Sequence, residues 1–264
     1  LHCVQSNVTA RIRQLENHLE AQLFYRTKKG MVLTPEGRIL FEYADRILNL
    51  TEEAEKVVRD SASARGPLVI GTIESTAAVR LPRILSSYRR NYPQVEITIR
   101  TGTTEELVNG VLSYKLDGAF VGGKVKHSEI EQQPLVSEEM VIVTEAKVSS
   151  LQDLENPTLL VFRKGCSYRA LLENWLHEAG ILPYSTMEFG ILDGILGCIA
   201  AGMGITMFPL SVIESLGYAD KITCHRVSGA FLHVPTMFIR RKNAVVTKAM
   251  EAFLQTALTR EALA

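Results

Sequence analysis

The chain has 264 residues, 46% of them hydrophobic and 22% charged, with 29 basic residues against 29 acidic ones. That is the make-up of a globular protein of one large or two smaller domains. Charge neutrality excludes a chain that is basic throughout, so nucleic-acid binding would have to reside in a small module whose charge the remainder offsets. Cys3, Cys166, Cys198 and Cys224 show no C-x-x-C spacing, which excludes a zinc ribbon or disulfide framework and points to a reducing, cytoplasmic setting with no metal or cofactor.

In chain order, Ser6 is a plausible N-cap for a helix whose apolar residues Val8, Ile12, Leu15 and Leu19 recur at helical spacing. The spacing predicts that these four face the core. Leu23 to Arg26 and Met31 to Leu33 read as two short strands around a Thr27-Lys28-Lys29-Gly30 turn, a small basic hairpin. Thr34-Pro35 then opens a long helix expected to run to about Ala64, with a heptad seam at Leu40, Tyr43, Ile47, Leu50, Ala54, Val57 and Ser61. A solitary helix with such a seam needs a partner, expected to be a second copy of the chain. Residues 61 to 67 are a hinge by composition.

Beyond the hinge, strands and helices alternate. Leu68–Gly71, Val95–Ile99, Asp117–Val121, Leu159–Phe162 and Ile205–Phe208 read as strands. Ala77–Tyr92, Glu105–Tyr114, Ser167–Ala179 and Ile191–Ala201 read as helices. The order predicts parallel sheets in two successive α/β halves with a cleft between them. The uncharged run Gly194–Ile213 is broken by glycines and Pro209, so it reads as buried core rather than a membrane span.

The residues Gln5-Ser6-Asn7-Val8-Thr9-Ala10-Arg11-Ile12-Arg13-Gln14-Leu15-Glu16 resemble the recognition-helix signature of LysR-type transcriptional regulators. Leu23-Phe24, Arg26 and Leu33-Thr34-Pro35-Glu36-Gly37 continue the pattern, and Val69-Ile70-Gly71, Leu81-Pro82, Tyr92-Pro93, Asp117-Gly118-Ala119 and Gly202-Met203-Gly204-Ile205 extend it. The resemblance covers nearly the whole chain and implies three parts. Residues 1–33 would be a winged helix-turn-helix, lacking the one and a half helices that precede the position of Leu1 in the family. Residues 34–65 would be a linker helix that dimerises. Residues 66–264 would be a periplasmic-binding-protein-like effector domain of two α/β subdomains. The resemblance further implies a tetramer. Two departures stand out: Glu20 replaces the glycine usual after the recognition helix, and the stretch from Thr144 to Leu151 is shorter than the family's loop.

A recognition helix presents its N-terminal polar residues to the major groove. The expected DNA contacts are therefore Gln5, Ser6, Asn7, Thr9, Arg11 and Arg13, with Arg26, Lys28 and Lys29 of the hairpin on phosphates. Residues 1–38 hold six basic residues against three acidic ones, so the positive excess falls where this reading requires it. The effector is expected at the carboxyl ends of the strands, held by Ser75, Thr76, Thr103, Thr104, Lys164, Cys166, Ser167 and Arg169. Hydroxyls at helix starts leave backbone N–H groups that favour a small organic anion or amino acid. Capping alone is the competing reading of Ser75, Thr103 and Ser167. Gly165-Cys166 resembles the setting of the reactive cysteine in peroxide-sensing members, but no second cysteine stands nearby in sequence and burial is the commoner fate. No nucleophile elbow, P-loop, HExxH or dinucleotide fingerprint is present, so an enzyme is not expected. A solute-binding protein would need neither the heptad helix nor the basic hairpin.

Overall fold

The computed structural model describes residues 5–27, 30–59, 63–154, 156–218 and 220–259. The chain divides into two compact units, residues 1–54 and 55–264, so the division falls inside the long helix.

In the first unit, helix α1 (Gln5–Leu19) leads into a hairpin of β1 (Phe24–Thr27) and β2 (Gly30–Leu33), then into α2 (Pro35–Arg59). Glu20, in the glycine position, adopts the left-handed conformation that glycine would favour (φ 51°). The turn geometry is kept, because Ala21 N–H donates to the Glu16 carbonyl at 3.1 Å as in a glycine-terminated helix. The Glu16 carboxylate accepts from the N–H groups of Leu23 and Phe24 at 2.8 and 3.3 Å, which sets the entry of the hairpin.

The Thr34-Pro35-Glu36-Gly37 sequence has a local cause. Buried Thr34 caps α2 by accepting from Gly37 N–H at 2.9 Å and donates its hydroxyl to the Gln22 carbonyl at 2.7 Å. A Cβ on Gly37 would lie 2.1 Å from the Leu23 carbonyl oxygen. The Gly37→Ala variant is expected to lose about 1–3 kcal/mol through overpacking. Faster hydrogen exchange at Thr34 and Gly37 would report it, and unchanged exchange would show that the hairpin can give way.

The expectation that Val8, Leu15 and Leu19 are core is not met. They are 41–44% exposed, and Ile12 alone of the four is half-buried. The hairpin lies along one flank of α1, where Ile12, Glu16, Phe24 and Met31 line the groove between them.

In the second unit, β3 (Gly66–Thr72) pairs in parallel with β4 (Val95–Thr101) and β5 (Gly118–Gly122). Helix α5 (Thr104–Leu112) connects β4 to β5. The single helix expected from Ala77 to Tyr92 is two, α3 (Glu74–Val79) and α4 (Leu81–Asn91), broken at Arg80 with Pro82 in the first turn of the second. Proline is pre-organised for a helix start and cannot continue a hydrogen-bond ladder.

The 16-residue strand β6 (Ile130–Glu145) then runs through both halves of the domain. Its first part pairs antiparallel with β11 (His233–Arg241), which lies antiparallel beside β5. Its second part pairs antiparallel with β9 (Thr206–Pro209) and β10 (Ile222–Arg226). A tight turn closed by Val148 N–H on the Glu145 carbonyl follows. Strand β7 (Thr158–Phe162) pairs in parallel with β8 (Ser185–Phe189), and its Leu159 bridges Ile205, the residue just before β9. Helices α6 (Ser167–Glu178), α7 (Leu192–Ala200) and α8 (Leu210–Ser215) belong to this half, and the uncharged run is part of its buried core.

The sheet is therefore mixed, and the halves are interleaved rather than successive. β11 and α9 (Lys248–Ala257) return the chain to the first half, where Tyr88, Phe120, Phe238 and Phe253 stack in one aromatic cluster. No described helix is long and apolar enough to cross a membrane.

Candidate functional site

Two surfaces carry the expected chemistry, one in each unit. On α1, the side chains of Ser6, Asn7, Thr9, Arg11 and Arg13 are all exposed. Thr9 and Arg13 border the groove beside the hairpin, whereas Ser6, Asn7 and Arg11 are away from it. The side chains of Gln5 and Arg26, and all of Lys28 and Lys29, lie outside the described residues.

Along α2 the seam residues Tyr43, Ile47 and Leu50 are 59%, 62% and 46% exposed, and Ile39, Phe41 and Leu48 are exposed beside them. The apolar face is thus wider than the expected two-residue seam. At the far end of the helix, Lys56 Nζ reaches the Asp117 carboxylate at 3.0 and 3.2 Å, and the same carboxylate accepts from Val69 N–H at 2.7 Å. That carboxylate ties the last turn of α2 to the middle of β3 and the start of β5.

The second surface is a pocket at the carboxyl ends of β3, β4, β7 and β8, where open α/β sheets bind ligands. It takes in about 530 Å³, open solvent at its mouth included. Ile73, Phe162 and Phe189 form its apolar walls, and Ser75, Thr103, Cys166 and Ser167 are the expected residues that line it. Thr76, Thr104, Lys164 and Arg169 were expected there and are not in its wall. Thr76 is buried inside α3. Thr104 donates its hydroxyl to Ser167 Oγ at 3.2 Å, and Lys164 points to solvent. Arg169 is 9% exposed and engaged with Glu173, four residues on in the same helix, at 2.9 Å and with Glu188 of β8 at 2.5 Å; only the second partner is out of reach of a local reading.

The backbone groups are also differently employed than expected. Thr103 forms a full capping box: its hydroxyl accepts from Glu106 N–H at 3.3 Å, and its N–H donates to the Glu106 carboxylate at 2.9 Å. Glu105 N–H donates across the cleft to the Gly165 carbonyl at 3.2 Å. Gly165 sits at φ +89°, and a Cβ there would come within 3.0 Å of Thr103 Oγ1 and Glu105, so this close crossing requires glycine. Arg163, opposite, pairs with Glu106 at 2.9 Å with both side chains more than half exposed. The capping N–H and the Arg163 guanidinium hold the Glu106 carboxyl below its ordinary value.

At the start of α6, the N–H groups of Tyr168 and Arg169 face the Cys166 sulfur, but burial outweighs them and pushes the thiol up. A reactive cysteine is pushed the other way, so Cys166 is here a small core residue on the pocket wall. The Tyr168 hydroxyl is wholly buried against Ser75, and burial holds its phenol far above the ordinary value. The wall also takes in Glu74, Arg163, Phe162 and Phe189, which are not among the expected effector ligands. The one available signal was position: Glu74 directly precedes Ser75, and Arg163 directly follows a buried strand. Among the described residues no three His, Cys, Asp or Glu side chains converge as metal ligands.

Residues 61–262 match the LysR substrate binding domain family, and residues 1–38 match the family of bacterial regulatory helix-turn-helix proteins, lysR family. The chain is 48% identical over 257 residues to the HTH-type transcriptional regulator GltR of Bacillus subtilis, covering 96% of this chain and 87% of that protein. Among solved structures it is similar to full-length CbnR complexed with its target DNA (TM-score 0.69, 24% identity, 97% of this chain and 90% of that one). It is also similar to the CcmR regulatory domain of Synechocystis PCC6803 in complex with 2-PG (TM-score 0.66, 17% identity, 74% of this chain and 96% of that one).

Proposed function

The chain belongs to the LysR family of bacterial helix-turn-helix transcriptional regulators, and from that premise we propose how its two surfaces work. It is a DNA-binding regulator with a domain for a small-molecule effector. In our reading Gln5, Ser6, Asn7, Thr9, Arg11 and Arg13 meet promoter DNA, while Arg26, Lys28 and Lys29 neutralise phosphates and set the register. The wide apolar face of α2 is covered by a second copy of the chain, so that two units address two half-sites; a tetramer would pair such dimers. The setting is cytoplasmic.

The effector, a small organic anion or amino acid, occupies the pocket lined by Ser75, Thr103, Cys166 and Ser167. The observation that carries this reading is that the pocket wall comes from both interleaved halves, which meet directly through Glu105 and Gly165, Thr104 and Ser167, and Glu106 and Arg163. A ligand that binds the two arrangements of these contacts unequally shifts the angle between the halves. That the CcmR domain was solved with a small ligand in the same fold supports the assignment.

The test is a gel shift on upstream promoter DNA with and without a panel of organic acids and amino acids. One compound is expected to change the shift, and loss of all binding at low salt would sink the reading. In the same assay, at fixed salt, the Arg13→Ala variant is expected to bind roughly tenfold more weakly with its fold intact. An unchanged affinity would take Arg13 out of the contact surface.

A further inference from the structure

The pocket departs from what a ligand that is only an anion would require. Several of the backbone N–H groups at the starts of α5 and α6 that could hold a carboxylate already have partners. At the start of α5, the N–H groups of Thr103, Glu105 and Glu106 have partners in Glu106, Gly165 and Thr103. At the start of α6, the N–H groups of Tyr168 and Arg169 face the Cys166 sulfur. The Arg169 guanidinium is turned to Glu173 and Glu188.

The pocket wall carries one residue of each charge, Glu74 and Arg163, and of the two only Arg163 has an ion-pair partner among the described residues. Glu74 lines it, half-buried, and among the described residues no hydrogen bond or ion pair reaches its carboxylate. A half-buried carboxylate without a partner gains from a cation that meets it. Phe162 and Phe189 also line the pocket, and an aromatic ring attracts an ammonium group rather than a carboxylate.

We propose that the effector presents a cationic amine to Glu74, so that the pocket selects amino acids over the nitrogen-free acids of the same skeleton. The inference rests on this pocket being the effector site. The carboxylate of such a ligand has a place as well. The Arg163–Glu106 pair is exposed, and exposed pairs are weak enough to be exchanged for a ligand. The Ser75 and Ser167 hydroxyls stand beside it on the wall.

Matched probes test the proposal on the full chain: the common amino acids, each with its 2-oxo acid, titrated by calorimetry against wild type and Glu74→Gln. The expected result is one amino acid that binds wild type at least tenfold more tightly than its 2-oxo acid, a preference that Glu74→Gln removes by weakening the amine-bearing ligand alone. Glu74→Ala, with an unchanged thermal melt, guards against a folding artefact of the first variant. A 2-oxo acid binding as tightly as its amino acid, or amine binding indifferent to both variants, overturns the amine requirement and leaves the pocket standing.

Gly190→Leu separates the two failures. Gly190 lines the pocket, and a Cβ there meets nothing within 4 Å, so leucine fills the site without a backbone clash. Binding that survives Gly190→Leu puts the effector elsewhere and overturns the pocket reading and this inference together. So does the absence of binding by every probe.

Discussion

The Arg80→Ala variant is expected to lose about 3–5 kcal/mol of stability in the sensor domain, the cost of leaving one member of a buried ion pair alone. Arg80 is 8% exposed at the break between α3 and α4, and Glu138 is 6% exposed on β6, two residues before that strand passes from one half of the domain into the other. The pair is bidentate: Arg80 Nε donates to Glu138 Oε1 at 2.9 Å, and a terminal nitrogen donates to Oε2 at 3.0 Å. Ser211, at the start of α8 in the other half, donates its hydroxyl to the same carboxylate at 2.9 Å. Three elements from both halves thus converge on one carboxylate. Without Arg80 it keeps, among the described residues, only the serine.

Domains of this kind are stable by about 5–15 kcal/mol, so the loss is a large fraction of the whole. It should appear in urea denaturation as a lower midpoint with an unchanged slope. The Arg80→Met/Glu138→Leu double variant should recover most of the loss, because an apolar pair of similar volume removes the charge that needed a partner. A single-variant loss below about 1 kcal/mol would mean that water reaches Glu138 once the guanidinium is gone, and the site would not be the dry junction its burial describes.

The Ile47→Asp variant is expected to abolish the dimer and to weaken promoter binding by two orders of magnitude or more. Ile47 is 62% exposed in the chain by itself, midway along a helix about 37 Å long by its 25 residues at ~1.5 Å each. Tyr43 and Leu50 flank it one turn away on the same face. Each such side chain gains about 1.5–3 kcal/mol on burial, and a self-complementary interface counts every one of them twice. An aspartate there would have to be buried against its own copy, like charge against like charge. Loss of the dimer would also remove the tether that makes binding of the second half-site intramolecular, which is the source of the large factor. Sedimentation velocity reads the oligomer and a gel shift reads the affinity. A dimer that survives Ile47→Asp would place the interface on another surface.

What could be read directly was what neighbours along the chain decide. The Thr34 cap and Pro35 announce α2 because capping and the fixed proline φ act within one turn. The runs Leu68–Gly71 and Leu159–Phe162 announce buried parallel strands because both of their faces must be apolar. Helix α1 was legible for the same reason, its polar and apolar residues alternating with the period of a single helix. The family followed from those local signatures.

Other features depended on residues far apart in the chain. β6 carries Pro134 and a polar first half, and β8 is polar along most of its length, so neither has a strand pattern of its own. They are strands because β11 and β7 supply the hydrogen-bonding partners. β11 lies between β5 and β6, which turned two successive halves into interleaved ones. Arg169 seemed a ligand group by its place at a helix start, and Glu188 across the sheet withdrew it. Glu74 is one of several polar residues at the end of the first strand, and only the fold places it in one pocket wall with Phe162 and Phe189 and leaves its carboxylate without a partner among the described residues. Local hydrogen bonds and hydrophobic periods are written into adjacent residues. The pairing of strands, and the question of which charge is left unpaired in a pocket, are settled only when distant segments meet, because burial and Coulomb energies depend on distance in space and not along the chain.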